Sequence, residues 1–246
     1  IRYRSPDKVV EEIGHLVKNY KIRNLKIADE LFVLNEERVD KICDLIIGKE
    51  YDLNIWAYAR VDTINTEILK KMKKAGVNWL CFGIESANKT VREGVSKRIS
   101  QDKIKKAIEI TKGAGIYVIG NFIFGLPDDN LETMQETLNL AKELNCEYIN
   151  FYTAMAYPGS ELYEEALKTG VRLPEKWEGY AQLSEETLSL PTKYVSGEDV
   201  LRFRDKAFQE YFSNSKYLDM INGKFGQRVV QHIKEMLEHK INRRYV

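Results

Sequence analysis

At 246 residues, with 43% hydrophobic and 30% charged side chains, the chain suits one large domain, or a domain with a small extension, around a substantial core. Its 38 basic and 37 acidic residues leave a net charge of +1, which offers no long-range attraction to nucleic acid or anionic lipid. No apolar run approaches the roughly 20 residues of a membrane helix.

The N-terminus, Ile1-Arg2-Tyr3-Arg4, shows neither an initiator Met nor a signal-peptide pattern, so the chain is expected to begin mid-protein. Ser5 caps a first helix that has Pro6 at its first position and Val9, Val10, Ile13, Leu16 and Val17 as its buried stripe. The run Leu25–Asp29 reads as a strand. Asn35 opens the next helix, with Val39, Ile42, Cys43, Ile46 and Ile47 inward and Gly48 closing it. Ile55–Arg60 is a second strand, and Ile68, Leu69 and Met72 mark a helix ending at Gly76. Trp79–Glu85 is a third strand, followed by a helix capped by Ser100 that stops near Gly113 and Gly115. Tyr117–Phe124, the helix Leu131–Leu144, Tyr148–Ala154 and the helix Ser160–Lys168, closed by Gly170, complete the alternation. Only some of these runs alternate cleanly, as expected for strands covered on both faces.

Strands alternating with helices imply parallel strands joined by right-handed crossovers, which either a doubly wound sheet or a barrel satisfies. The leading helix implies a missing first strand upstream. Beyond Gly170 the pattern changes. Residues 173–193 are irregular, Ser196 and Asp199 open a helix bearing Val200, Leu201, Ala207, Phe208, Tyr211 and Phe212, and another helix runs roughly from Phe225 to Lys240. Arg243-Arg244 reads as a solvated tail. The expected organisation is a core over residues 1–170 and an all-helical extension over 171–246.

In parallel α/β domains ligands meet the carboxyl ends of the strands. Those ends carry Asp29-Glu30, Arg60, Glu85-Ser86, Gly125-Leu126-Pro127-Asp128, and Tyr152-Thr153-Ala154 before Tyr157-Pro158-Gly159. Carboxylates with an Arg can bind a zwitterion, glycine lets backbone approach a flat ring, and Ile123 or Ala154 could pack against the ring's faces. The plainer reading of any single end is a helix cap, which Asp62, Asn65, Asp129 and Asn130 also fit. His15, His232 and His239 have no partner at ligand spacing, and Trp56, Trp79 and Trp177 read as core. Lys97-Arg98 reads as a solvated loop on the functional side of the third unit. Cys43, Cys81 and Cys146 match no metal or redox spacing and read as small buried hydrophobes; an odd count without CxxC pairs points to a reducing, cytoplasmic setting.

Taken together, the strand ends resemble the radical S-adenosylmethionine (SAM) superfamily. Arg4-Ser5-Pro6-Asp7 through Glu11-Glu12-Ile13 looks like the helix after that family's CxxxCxxC loop, which is itself absent from these 246 residues. Ile27-Ala28-Asp29-Glu30 occupies the amino-group-binding position. Phe82-Gly83-Ile84-Glu85-Ser86 is similar to the fourth-strand motif facing the ribose and carboxylate of SAM. Asn121-Phe122-Ile123-Phe124-Gly125-Leu126-Pro127-Asp128 resembles the GxIxGxxE adenine motif, with Asn121 for the first Gly and Asp128 for the final Glu. Tyr157-Pro158-Gly159-Ser160-Glu161-Leu162-Tyr163 looks like the branch related to cobalamin-binding radical SAM proteins and methylthiotransferases.

The resemblance implies a partial TIM-type (β/α) barrel of parallel strands, lacking its first strand, with a C-terminal helical extension. It implies SAM bound by Asp29, Glu30, Arg60, Glu85, Ser86, Asn121, Ile123, Gly125, Tyr152 and Ala154. A [4Fe–4S] cluster would be held by cysteines upstream, and a cobalamin domain would also lie upstream. The implied reaction is generation of a 5′-deoxyadenosyl radical for hydrogen abstraction, or methyl or methylthio transfer, on a small-molecule substrate, with an external donor such as flavodoxin or ferredoxin. Two other readings stay open: a TIM-barrel aldolase or isomerase, which needs a Lys or His at a strand end, and a catalytically inactive scaffold or partner-binding module.

Overall fold

A computed structural model describes residues 2–95 and 99–246; the Lys97-Arg98 loop lies outside the described residues. Five strands, β1 (Asn24–Lys26), β2 (Asn54–Ala59), β3 (Val77–Glu85), β4 (Tyr117–Phe124) and β5 (Tyr148–Thr153), form one sheet in the order β1-β2-β3-β4-β5. β1 pairs parallel to β2, with Leu25 opposite Ile55, and β2 parallel to β3, with Trp56 opposite Trp79. A strand order that follows the chain order has no reversal point, which separates this fold from a doubly wound sheet. The fold is α/β, five parallel strands of a partial TIM-type barrel.

The helices are α1 (Pro6–Tyr20), α2 (Glu36–Ile47), α3 (Thr66–Lys74), α4 (Lys89–Gly94), α5 (Gln101–Gly113), α6 (Leu131–Leu144), α7 (Glu161–Thr169), α8 (Gly197–Phe212), α9 (Ser215–Phe225) and α10 (Gln227–Glu238). Six of the caps expected from sequence accept a backbone N–H of the first turn: Asn35 from Arg38 (2.9 Å), Asn65 from Ile68 (2.9 Å), Asn130 from Thr133 (2.9 Å), Ser100 from Lys103 (3.3 Å), and Ser5 and Ser160 likewise. The helix expected over 225–240 is α10; before it lies a further helix, α9, which ends at Gly226 (φ +81°). Asn214 caps α9 and supplies the start signal that the reading overlooked.

Strict alternation along β2 and β5 corrects the expectation of strands covered on both faces. Ile55, Ala57 and Ala59, and likewise Ile149, Phe151 and Thr153, are buried, whereas Trp56 and Tyr58, and Asn150 and Tyr152, are only half-buried. One face of these strands lies under helices and the other is partly open.

The described residues form two compact units, 2–84 with 99–120, and 85–95 with 121–246. In the first, Val39, Ile42, Cys43 and Ile46 of α2 and Leu69 and Met72 of α3 are buried with Ile55, Ala57 and Leu80 of the strands. At the amino ends of its strands a ladder of amides crosses the sheet. Lys73 Nζ donates to Asn78 Oδ1 (2.6 Å), Asn78 Nδ2 to Asn54 Oδ1 (3.1 Å), and Asn54 Nδ2 to Asn24 Oδ1 (2.9 Å).

In the second unit an aromatic cluster, Phe124, Phe151, Tyr211, Phe212 and Tyr217, joins β4 and β5 to α8 and α9. Tyr211 Oη donates to the Cys146 carbonyl (2.8 Å) and Arg204 Nε to the Phe151 carbonyl (2.9 Å), so α8 is pinned to β5 by polar as well as apolar contacts. Arg243, expected in a solvated tail, has a side chain only 3% exposed. Its guanidinium donates twice to Asp205 (2.8 Å each) and also to the Gln182 carbonyl (3.1 Å), the Ser184 carbonyl and Thr187 Oγ1 (2.8 Å each). Trp177, expected in the core, is 77% exposed.

Candidate functional site

In the first unit, Asp29 lies just past the end of β1. Its carboxylate accepts from the Leu31 N–H (3.1 Å) and pairs with Arg38 (3.5 Å), while Glu30 is exposed in the following turn. Arg60, just past β2, gives both ends of its guanidinium fork to Asp62 (2.9 and 2.8 Å). Asp62 is therefore an ion-pair partner rather than a helix cap, and its hydrogen bond and charge raise the pKa of Arg60.

In the second unit, Glu85 ends β3 with φ +67°, in the left-handed region. The other non-glycine residues of positive φ among those described, Lys21, Glu50 and Asn145, sit in the turns that end helices, where such a conformation is common. For a residue with a Cβ the left-handed region costs roughly 1–2 kcal/mol, and such strain clusters at sites where a side chain is held for use. Ser86 is fully buried. Its hydroxyl lies 3.1 Å from Thr137 Oγ1 and accepts from the Asn88 N–H (3.2 Å), and its carbonyl accepts from Arg92 Nη1 (2.7 Å). These bonds fix the turn from β3 into α4, a six-residue helix with too short an apolar stripe to be read from sequence.

Midway along β4, Asn121 accepts from Asn150 Nδ2 of β5 (2.9 Å), and nearer its end Ile123 packs beside Ala154, Leu126, Val91 and Val95. Tyr152 is half-buried on β5. Gly125 has φ +78°, and a Cβ placed on it would lie 2.5 Å from Val200 Cγ1, so its missing side chain makes room for α8 rather than for a flat ring. Sequence reasoning passed over Asp129 as a possible cap; Asn130 holds that role. Asp129 is 1% exposed, and its carboxylate accepts from the Gly125 N–H (3.0 Å), the Leu126 N–H (3.1 Å) and Thr133 Oγ1 (2.7 Å). Burial raises its pKa against the pull of those bonds. It clamps the Gly125-Leu126-Pro127 turn, and the buried Asp between a glycine turn and a capping box was the available signal. Asp128 instead pairs with Lys193.

Residues 1–141 match the sequence profile of the radical SAM superfamily. The chain belongs to the radical SAM superfamily. It is 30% identical over 217 residues to an uncharacterized methyltransferase of Pyrococcus horikoshii, covering 88% of this chain and 47% of that protein. It is 30% identical over 166 residues to the anaerobic magnesium-protoporphyrin IX monomethyl ester cyclase of Rubrivivax gelatinosus, covering 67% of this chain and 30% of that one. The radical SAM methyltransferase TsrM from Kitasatospora setae, solved with cobalamin and a [4Fe–4S] cluster, shares the fold with a TM-score of 0.62 at 17% identity, over 70% of this chain and 36% of TsrM. The chain thus spans about half the length of the first relative and less of the others.

The radical SAM chemistry needs a cluster and SAM, and these residues fit the two differently. Cys43, Cys81 and Cys146 are all buried, and burial pushes the Cys43 thiol up to about 12. Among the described residues no three His, Cys, Asp or Glu side chains are grouped to hold a metal. The described side chains do not fit a cluster. For SAM the residues present are chemically compatible: Glu85 is an acceptor of the kind that hydroxyl and ammonium donors require, and Ile123 and Ala154 are apolar neighbours of the kind that a flat purine requires. Among the described residues no helix is long and apolar enough to cross a membrane.

Proposed function

We propose that this chain is the SAM-binding part of a radical SAM enzyme that modifies a small-molecule substrate. Residues 1–170 form the binding core in this reading, and 171–246 brace it. Glu85 accepts from SAM's polar groups, and Ile123 and Ala154 pack on its adenine. Asn121 and Tyr152 of the same unit supply further polar contacts, while Ser86 and Gly125 hold the turns that aim them. SAM supplies the adenosyl group for radical formation; the cluster, a soluble electron donor and any cobalamin come from outside these residues.

The observation that carries the reading is Glu85, a carboxylate kept in a left-handed conformation that glycine would adopt without cost. Isothermal titration tests it. SAM is expected to bind with Kd near ~100 µM, about −5.5 kcal/mol, because the iron anchor is absent. Glu85→Ala should weaken binding roughly ten- to a hundredfold, as expected for losing a hydrogen bond to a charged group of about 1.5–3 kcal/mol. Unchanged affinity in Glu85→Ala would remove the assignment.

A further inference from the structure

The partly open face of the first unit's strands has a composition that the SAM reading does not use. Register places Lys26, Trp56 and Trp79 in one row across β1, β2 and β3, side chains on the same face. Lys26 Nζ sits 4.1 Å from the centre of the Trp56 ring and 5.4 Å from that of Tyr58, the next residue on that face of β2. Trp79 packs on Tyr117 of β4 with ring centres 4.8 Å apart. Lys73 approaches from α3, its ammonium held by Asn78 and 6.0 Å from the Tyr117 ring. Trp56 and Trp79, which the sequence suggested were core, are half-buried, and Lys26 is exposed.

The charge on this face is one-sided. Among the described residues Lys26 has no carboxylate partner; Lys73 is the second charge, and the amides of Asn54 and Asn78, the aromatic rings and Cys81, opposite Tyr58, lie beside them. Trp56 Nε1 is a buried donor without an acceptor among the described residues, an uncommon condition that an acceptor on a ligand would relieve. Aromatic rings recognise a flat π-system by offset stacking, and an ammonium beside them recognises a carboxylate.

We propose that this face binds a planar aromatic carboxylate. The molecule stacks over Trp56, Tyr58 and Trp79, and its carboxylate accepts from Lys26. As the flexible lysine turns from the ring toward the carboxylate, the indole N–H of Trp56 becomes a second donor. This inference goes beyond the SAM reading, since it names a ligand for a face of the first unit that the reading leaves unused.

The test uses the full chain labelled with ¹⁵N, titrated with 2-naphthoate and, in parallel, the uncharged 2-naphthamide. The chain has three tryptophans, so three indole N–H resonances report. The signals of Trp56 and Trp79 should shift and saturate with naphthoate, and that of Trp177, in the second unit, should not. Naphthamide should bind at least roughly tenfold more weakly, about 1.4 kcal/mol. Lys26→Met should weaken naphthoate by a similar factor and leave naphthamide unchanged. Equal affinity for acid and amide, an unaffected Lys26→Met, or no shift of Trp56 up to ~10 mM, about −2.7 kcal/mol, would each overturn the proposal. SAM added to the same sample separates the two readings. Silence toward naphthoate with SAM binding intact ends this inference alone, and loss of SAM binding with naphthoate retained ends the SAM assignment alone.

Discussion

Removing the Asp205 carboxylate should expose how the C-terminal segment is held. That carboxylate takes two bonds from Arg243 (2.8 Å each) and one from Arg204 (2.7 Å), and the two guanidinium side chains are only 3% and 8% exposed. Burial alone pushes the Asp205 carboxyl upward, but bonds from Arg243 and Arg204 outweigh it and leave the pKa below its ordinary value. In Asp205→Ala two nearly buried cations lose their common counter-charge. Breaking such a pair typically costs 3–5 kcal/mol, and because Asp205 is itself 32% exposed the low end applies, about 3 kcal/mol. For a chain of this length each kcal/mol moves Tm by about 2–4 °C, so calorimetry should show a drop of roughly 6–12 °C. Asp205→Asn keeps one acceptor oxygen but loses the charge and sets an amide NH2 against a guanidinium N–H, so it should recover little of that loss. The depressed pKa fixes the pH dependence: this contribution is complete above the unfolded value near ~4 and vanishes as pH falls through the folded value. Asp205→Ala should therefore flatten the acid limb of the stability curve. A Tm shift under ~1 °C, about 0.5 kcal/mol or less, with the limb unchanged would refute the view that Arg243 anchors this segment.

Asp129→Ala strands the Gly125 and Leu126 N–H groups in a buried turn, and urea denaturation should register a loss of about 3 kcal/mol. Because burial raises the Asp129 pKa, the proton favours the folded state, so stability should decline as pH rises from the unfolded value through the folded one, and Asp129→Asn should remove that decline. Gly125→Ala combines a left-handed Cβ with an overlap on Val200 and should cost about 3 kcal/mol by denaturant titration; adding Val200→Ala should return part of that but not the backbone term. Buried Cys43, with its thiol pushed up to about 12, should resist a disulfide reagent in the native state at pH 8 and react on unfolding; reaction at native rates would show that α2 opens.

Local signals were legible wherever the chain carries its own instruction. Asn35, Asn65 and Asn130 announce helices because each side chain answers a donor three residues ahead, and the five strands follow from apolar runs between such caps. The strand-end motifs pointed to the radical SAM superfamily for the same reason, being contiguous. What escaped involves partners far apart in sequence or roles that share one residue type. Arg243 looks solvated until Asp205, Ser184 and Thr187 are folded around it. Arg60 and Asp62 looked like a ligand group and a cap, whereas their two-residue spacing lets them satisfy each other. Asp129 beside Asn130 offered two candidate caps, and only packing decided that one serves the helix and the other the turn. The open faces of β2 and β5 were legible as alternation, but the expectation of a covered sheet overrode it.

The asparagine ladder at the amino ends of β1, β2 and β3 bears on how the sheet finds its alignment. In a parallel sheet, neighbouring strands could pair one residue out of step with little loss of backbone bonding, since main-chain groups repeat at every residue. Such a slip would turn Asn54 toward the helix-covered side and Ile55 outward, breaking the bonds to both Asn24 and Asn78 while stranding a buried amide. The ladder therefore makes misaligned pairings costly at the point where each strand starts, and replacing Asn54 by an apolar residue should widen the set of competing alignments during refolding before it changes the native structure.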